Sequence, residues 1–158
     1  MSLRIGQGYD VHAFSDDPDR PLVLGGVTVV GGPGLAGHSD ADALSHAVAD
    51  AVLGAVGLGD LGDHFPDTDP QWAGADSLTL LAEVVRLAAG SGWTVVNVDA
   101  TVVAERPKLG ALRPQMAERL ATVVGAPVSV KATTHEGLGA LGRGEGIACL
   151  AVALLEAP

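Results

Sequence analysis

The chain has 158 residues, 47% of them hydrophobic and only 18% charged, a composition that excludes a disordered segment. Its 22 glycines follow no three-residue period, which excludes a collagen-like chain. A formal net charge of −10 repels nucleic-acid backbones and anionic lipid at long range, so neither is expected as a partner.

The length suits one domain, residues 1–158, with a core of its own. Cys149 is the single cysteine, so no internal disulfide can form and a reducing, cytoplasmic setting is expected. The apolar run Ile147–Leu155 has nine residues, too few to span a bilayer. Met1-Ser2-Leu3-Arg4-Ile5-Gly6 carries no signal-peptide core. With aromatics at 3%, the core must rest on closely packed Val, Leu and Ala.

In chain order, Arg4 to Phe14 has an extended pattern and leads through a polar turn, Ser15 to Arg20, to Leu22-Val23-Leu24. Gly25-Gly26 separates that run from Val27–Val30, a hairpin signal. After the loop Gly31-Gly32-Pro33-Gly34, Ser39 followed by Asp42 fits an N-terminal cap. Leu44, Ala47, Val48, Ala51, Val52 and Ala55 then repeat at helical spacing until glycines 54, 57 and 59. Asp60 to Gly74 holds two prolines and four aspartates without periodicity, which predicts a long loop. Asp76 or Ser77 caps a second helix with Leu78, Leu81, Val85 and Ala88 on one face, closed by Gly90 and Gly92. Thr94–Ala104 is a valine-rich strand. Pro114 opens a third helix with Met116, Leu120 and Val123 inward, ending at Gly125. Val128–Thr133 alternates as a strand, and the glycine-rich loop Gly137–Gly146 precedes a last apolar strand from Ile147. Interleaved helices and strands predict a mixed α/β layer fold.

Four clusters carry chemistry. In Asp10-Val11-His12 the carboxylate and the imidazole, two apart on a strand, project from the same side and suit zinc or a similar transition metal. In His38-Ser39-Asp40-Ala41-Asp42 with His46 and Asp50, helical spacing lines Asp42, His46 and Asp50 on one face. A carboxylate there could hold one His46 nitrogen while the other binds metal; the alternative is acidic residues serving the helix dipole. Asp10, His12 and His46 together would leave a fourth coordination position open, as in catalytic zinc sites. Lys131–Gly139, with Thr133, Thr134 and Glu136, and Gly142–Gly146, with Arg143 and Glu145, can hold phosphate oxygens and a hard divalent cation, or simply form solvated turns. Glu105-Arg106-Pro107-Lys108-Leu109 places two cations in one loop of an acidic chain. Cys149 is expected to be inert core.

These clusters occur together with Arg4-Ile5-Gly6, Asp60-Leu61-Gly62, Phe65-Pro66-Asp67-Thr68-Asp69-Pro70, Gly74-Ala75-Asp76-Ser77 and Asn97-Val98-Asp99. In that order, over nearly the whole chain, the set resembles the 2-C-methyl-D-erythritol 2,4-cyclodiphosphate synthase family of the non-mevalonate isoprenoid pathway. The resemblance implies an α/β (α+β) fold: a single layer of mixed β-sheet with helices on one side. It also implies a homotrimer, with the sheets around the central axis and active sites between subunits. The length suits the stand-alone synthase rather than a fusion with the preceding cytidylyltransferase.

The implied substrate is 4-diphosphocytidyl-2-C-methyl-D-erythritol 2-phosphate, whose 2-phosphate attacks its own β-phosphate to release CMP and close the cyclic diphosphate. Zinc on Asp10, His12 and His46 and magnesium or manganese with Glu136 are the implied cofactors. His38 and Thr134 match the residues that stabilise the transition state, Ser39 touches phosphate, and Asp60 with Gly62 holds the methylerythritol hydroxyls. Ala104, Glu105, Arg106, Pro107, Lys108, Leu109 and Gly110 match the cytidine diphosphate pocket. Leu61, Phe65, Pro66, Asp67, Thr68, Asp69, Thr133, His135 and Arg143 are further implied substrate contacts. The chain departs from the family pattern at Gln7, often histidine, at His135, often threonine, and at Ala140, where an aromatic often faces the trimer axis. Two alternatives share the metal site: a zinc phosphohydrolase, and a trimeric metal- or isoprenoid-binding protein without turnover.

Overall fold

Glycine and alanine decide how closely the first helix approaches the sheet, and that approach builds the site. The computed structural model describes all residues 1–158. Strand β1 (Ser2–Ala13) turns Gly6 and Gly8 inward, on the same side as Asp10 and His12. Helix α1 (Ala43–Val56) lies against them with Ala47, Ala51 and Ala55, all buried. A Cβ on Gly8 would stand 1.8 Å from the Ala47 carbonyl oxygen, and one on Gly6 1.8 Å from that of Ala51. No side chain fits there. Gly8→Ala is therefore expected to destabilise the fold by about 3 kcal/mol or more, because backbone is what must move. It should also displace His46, since Ala47 is bonded to it; a melting curve with divalent-metal content checks both.

Around this contact run the hairpin β2 (Leu22–Leu24) and β3 (Val27–Val29), the short helix α2 (Leu61–His64), helix α3 (Ser77–Gly90) and strand β4 (Thr94–Val103). Helix α4 (Arg113–Val124), strand β5 (Val128–Thr133), the one-turn α5 (Gly139–Gly142) and strand β6 (Gly146–Ala157) complete the chain. The main sheet has the order β1-β6-β4-β5. Strand β6 is antiparallel to both its neighbours, and β4 and β5 are parallel, joined by the crossover through α4. Helices cover one face, enclosing Leu44, Val48, Val52, Leu81, Met116, Leu120, Ile147 and Leu155. On the other face of the β1–β6 edge, Leu3, Ile5, Tyr9, Val11 and Val152 remain exposed. Cys149 is fully buried in β6, and burial pushes its thiol pKa well above the ordinary range, as the inert reading expected.

Several boundaries differ from the sequence expectation. Helix α1 is capped by Asp42, not Ser39: Ala41 takes a positive φ of 55° just before it, which stops a helix from starting earlier. The Asp42 carboxylate is completely buried and accepts from Ser45 N (2.9 Å), Ser45 Oγ (2.7 Å), Gly25 N (2.8 Å) and Gly26 N (2.7 Å). It ties α1 to the hairpin turn. The expected loop 60–74 contains α2, opened by a capping box between Asp60 and Asp63, and a 3₁₀ turn, Pro70–Trp72, capped by Asp69. The second glycine-rich loop likewise contains α5. Leu80 and Val84 take the buried places expected for Leu78 and Val85, and Val124 that of Val123. Periodicity gave the right faces within two residues.

Candidate metal and phosphate site

Strand β1 supplies Asp10 and His12, and α1 supplies His46 from its first turns. Asp10 Oδ2 lies 2.9 Å from His12 Nε2 and 3.0 Å from His46 Nδ1. All the donor atoms fall within 4.8 Å of one another. A tetrahedral zinc ion with ordinary bond lengths separates its ligand atoms by about 3.3 Å, within a few tenths of an ångström of the two separations from Asp10. One carboxylate and two imidazoles are also the donor chemistry that zinc favours.

The hydrogen bonds behind these ligands determine which ring nitrogen of each histidine faces the metal position. His12 Nδ1 donates to the Ala36 carbonyl at 2.6 Å, so Nε2, which faces Asp10, is the nitrogen left for a metal. The Ser77 hydroxyl donates to Asp40 Oδ1, so at 2.8 Å it accepts from His46 Nε2, and Nδ1, which faces Asp10, is the nitrogen left for a metal. Ser39 Oγ stands 3.3 Å from the same nitrogen. Both rings thus hold a proton on the outer nitrogen, and the inner one, facing Asp10, is the nitrogen that can give a metal its lone pair, the arrangement metal-binding histidines need. Helical spacing suggested that Asp42 or Asp50 would hold His46. Neither does: Asp42 is engaged as the cap, and Asp50 accepts from Leu61 N at 2.7 Å. The carboxylate behind His46 is Asp40, reached through Ser77, a buried residue that the sequence suggested only as a cap.

Burial pushes the Asp10 carboxyl up, but hydrogen bonds from both histidines outweigh it and bring its pKa down to about 2. The hydrogen bond to Asp10 raises the His12 pKa above its ordinary 6.5, against the opposing effect of burial. The signs are opposite. In the metal-free protein the stability from His12 is present below 6.5 and lost as pH rises through its raised pKa, while that from Asp10 is present above 3.8 and lost toward about 2. A metal ion taking His12 Nε2 must displace a proton held there. Zinc affinity is therefore expected to rise with pH by up to about tenfold per unit below the His12 pKa and to flatten above it. Competition with a chelator from about pH 5.5 to 8.5 measures this, and a flat profile would remove His12 from the ligand set.

The triad opens into a cleft of about 510 Å³, lined also by Gly37, His38, Ser39, Asp50, Asp60, Leu61, Gly62, Phe65, Pro66, Asp67, Trp72 and Leu80. Burial is the main cause that raises the Asp50 pKa, with the carboxylates of Asp60 and Asp10 adding to it. A cleft with four aspartates admits a polyphosphate only if cations neutralise it. Trp72 stands edge-on to Phe65 with ring centroids 5.0 Å apart, and neither Trp72 nor Leu80 carried a sequence signal for the site. Asp69 lies behind the cleft: its carboxylate caps the 3₁₀ turn and its carbonyl accepts from His38 Nε2 at 3.0 Å. Thr68 does not line the cleft.

A second cavity, about 230 Å³, is formed by Ala104, Pro107, Lys108, Leu109, Gly110, Arg113, Ala132, Thr133 and Thr134. It shares no residue with the first. Arg106 faces a third hollow with Phe14, Pro33 and Lys108. Glu105 is turned to the backbone, accepting from His135 N (2.8 Å) and Gly137 N (3.4 Å), and so braces the turn that carries Thr134 and Glu136. Glu136 is exposed at a φ of 53° and accepts from Thr134 Oγ1 at 3.4 Å; within one chain it does not join the triad's cleft. The His135 ring donates to the Leu138 carbonyl, and Arg143 pairs with Glu145 on the surface.

The profile of the YgbB family matches residues 3–156. The chain belongs to the YgbB family. A relative from Thermosynechococcus vestitus, named 2-C-methyl-D-erythritol 2,4-cyclodiphosphate synthase, is 57% identical over 99% of this chain and 98% of its own. Among solved structures, the bifunctional IspDF of Campylobacter jejuni superposes with a TM-score of 0.94 at 39% identity, covering 99% of this chain and 43% of that one. The YgbB-family chain thus spans less than half of that bifunctional protein. The CDP complex of Plasmodium falciparum IspF superposes with a TM-score of 0.85 at 34% identity, over 99% of this chain and 97% of that one. No helix of this YgbB-family member is long and apolar enough to cross a membrane.

Proposed function

We propose that this chain is a 2-C-methyl-D-erythritol 2,4-cyclodiphosphate synthase of the non-mevalonate isoprenoid pathway, formed as a single domain over residues 1–158. The observation that carries the reading is the convergence of Asp10, His12 and His46 at the mouth of an acidic cleft, in a chain 57% identical to a synthase of that name. In the reaction an oxygen of the substrate's 2-phosphate forms a bond to the β-phosphorus, and the bond from that phosphorus to the CMP oxygen breaks. No water is consumed, so the enzyme is a phosphorus–oxygen lyase.

Nucleophile and electrophile belong to one molecule, so the protein's main task is to hold it folded back. In this reading Asp60 and Gly62 hold the methylerythritol hydroxyls, and Ser39 and His38 donate to phosphoryl oxygens. Thr134 donates to the phosphate on the cytidine side, and the pocket of Ala104–Gly110, with Lys108, receives the cytidine diphosphate. Zinc bound by Asp10, His12 and His46 would polarise the phosphoryl group as a Lewis acid, and magnesium or manganese held by Glu136 would neutralise the bridging oxygens.

The two cavities do not meet within one chain, and an apolar face of β1 and β6 is exposed beside them. Both facts support a homotrimer in which one subunit's cytidine pocket faces its neighbour's metal cleft. The buried, unpaired Cys149 fits a cytoplasmic enzyme.

Incubating the zinc- and magnesium-loaded protein with the cytidylyl substrate tests the proposal. CMP and the cyclic diphosphate, followed by phosphorus NMR, are expected in equal amounts. Inorganic phosphate would indicate a hydrolase, and bound metal without turnover a binding protein.

A further inference from the structure

Arg20 closes the polar turn before the hairpin and belongs to none of the motifs that carry the resemblance. Its side chain is half-buried, and its guanidinium grips three main-chain carbonyls. Nε donates to Leu35, while Nη2 donates to Gly37 at 3.0 Å and to Ser39 at 2.6 Å. These carbonyls receive no other hydrogen bond, from main chain or side chain. A planar fork with five donors can span alternate carbonyls in this way; a point-like ammonium cannot do so with the same geometry.

The gripped segment is the one on which the site depends. The Ala36 carbonyl, between two gripped residues, is the acceptor that fixes the His12 tautomer at 2.6 Å. A Cβ on Gly37 would come within 3.1 Å of His12 Cε1, so this backbone lies directly on the imidazole. His38 and Ser39 line the cleft, and Ser39 Oγ approaches His46. Yet residues 35–39 belong to no helix or sheet beyond an isolated bridge from Leu35 to Phe14.

We infer that Arg20 is a positioning residue: it holds Leu35–Ser39 on the His12 ring, keeping Nε2 aimed at the metal position and His38 and Ser39 facing the cleft. The effect on turnover rests on the proposed function; the effect on metal binding does not. A purely structural brace would stabilise the fold without either effect.

The test compares Arg20→Ala and Arg20→Lys with the native chain. In Arg20→Ala the zinc dissociation constant, read by chelator competition, is expected to rise about tenfold, as for residues behind metal ligands. The same variant's kcat should fall about 100-fold from misplaced His38 and Ser39, with KM within about twofold. Guanidinium ion added below denaturing concentration should recover part of both. Arg20→Lys, which keeps the charge and should keep the melting temperature, should show the same losses in smaller measure. Unchanged zinc affinity in both variants would overturn the inference. So would a rise in KM alone, which would make Arg20 a substrate contact, or losses that follow a lower melting temperature without guanidinium recovery. Should the native chain release no CMP, the functional reading fails, while the zinc measurement still decides the role of Arg20.

Discussion

His46→Ala is expected to lose zinc on gel filtration and to reduce CMP release by at least about 1000-fold, leaving the fold in place. Removing one imidazole leaves Asp10 and His12, two ligands where a catalytic zinc site uses three. The lost Lewis acid is the group that would neutralise charge on the transferring phosphoryl. The fold should survive because His46 is partly exposed and its neighbours Ala47 and Ala51 still pack on Gly8 and Gly6. Ser77 loses one hydrogen bond but keeps Asp40, a cost of about 1 kcal/mol. Elemental analysis, CMP release and circular dichroism on one preparation check all of this. Native turnover in His46→Ala would remove His46 from the site.

Asp42→Ala is expected to cost roughly 3–5 kcal/mol of stability, because it orphans buried donors in two elements at once. The carboxylate caps α1 through Ser45 N and accepts from Gly25 N and Gly26 N in the hairpin turn. Loss of the cap alone is worth about 1 kcal/mol, the buried Gly25 amide adds about 1–3, and the half-buried Gly26 amide about 1. Asp42→Asn should recover part of the loss, since one oxygen remains to accept, while its amide group opposes a donor that faced the second oxygen. Denaturant melts of both variants give the comparison. Equal stability of native and Asp42→Ala would mean that water or a rearranged turn satisfies those amides.

Much of the architecture was legible locally. Alternation along β1 put Asp10 and His12 on one side, and the recurrence of Ala47, Ala51 and Ala55 at every fourth position marked the buried stripe of α1. Glycine at 57 and 125 marked helix ends because those positions take the left-handed conformation. The helix-face argument for Asp42, His46 and Asp50 misassigned the partners. Spacing gives a direction around the helix, but not which neighbouring element reaches that direction first. The hairpin turn reached Asp42, Leu61 reached Asp50, and α3 brought Ser77 to His46.

The sequence by itself determined the periodic elements, the residue types able to hold a metal, and the family resemblance carried by the order of its motifs. Only the tertiary structure decided which nitrogen of each histidine faces the ion, that Asp40 and Ser77 stand behind His46, and that Arg20 braces the loop behind His12. Those contacts join residues 15 to 37 positions apart. Local periodicity extends over a few residues, whereas these partners meet only because glycines 6 and 8 let a helix settle onto a strand and so fix the frame in which the loops close.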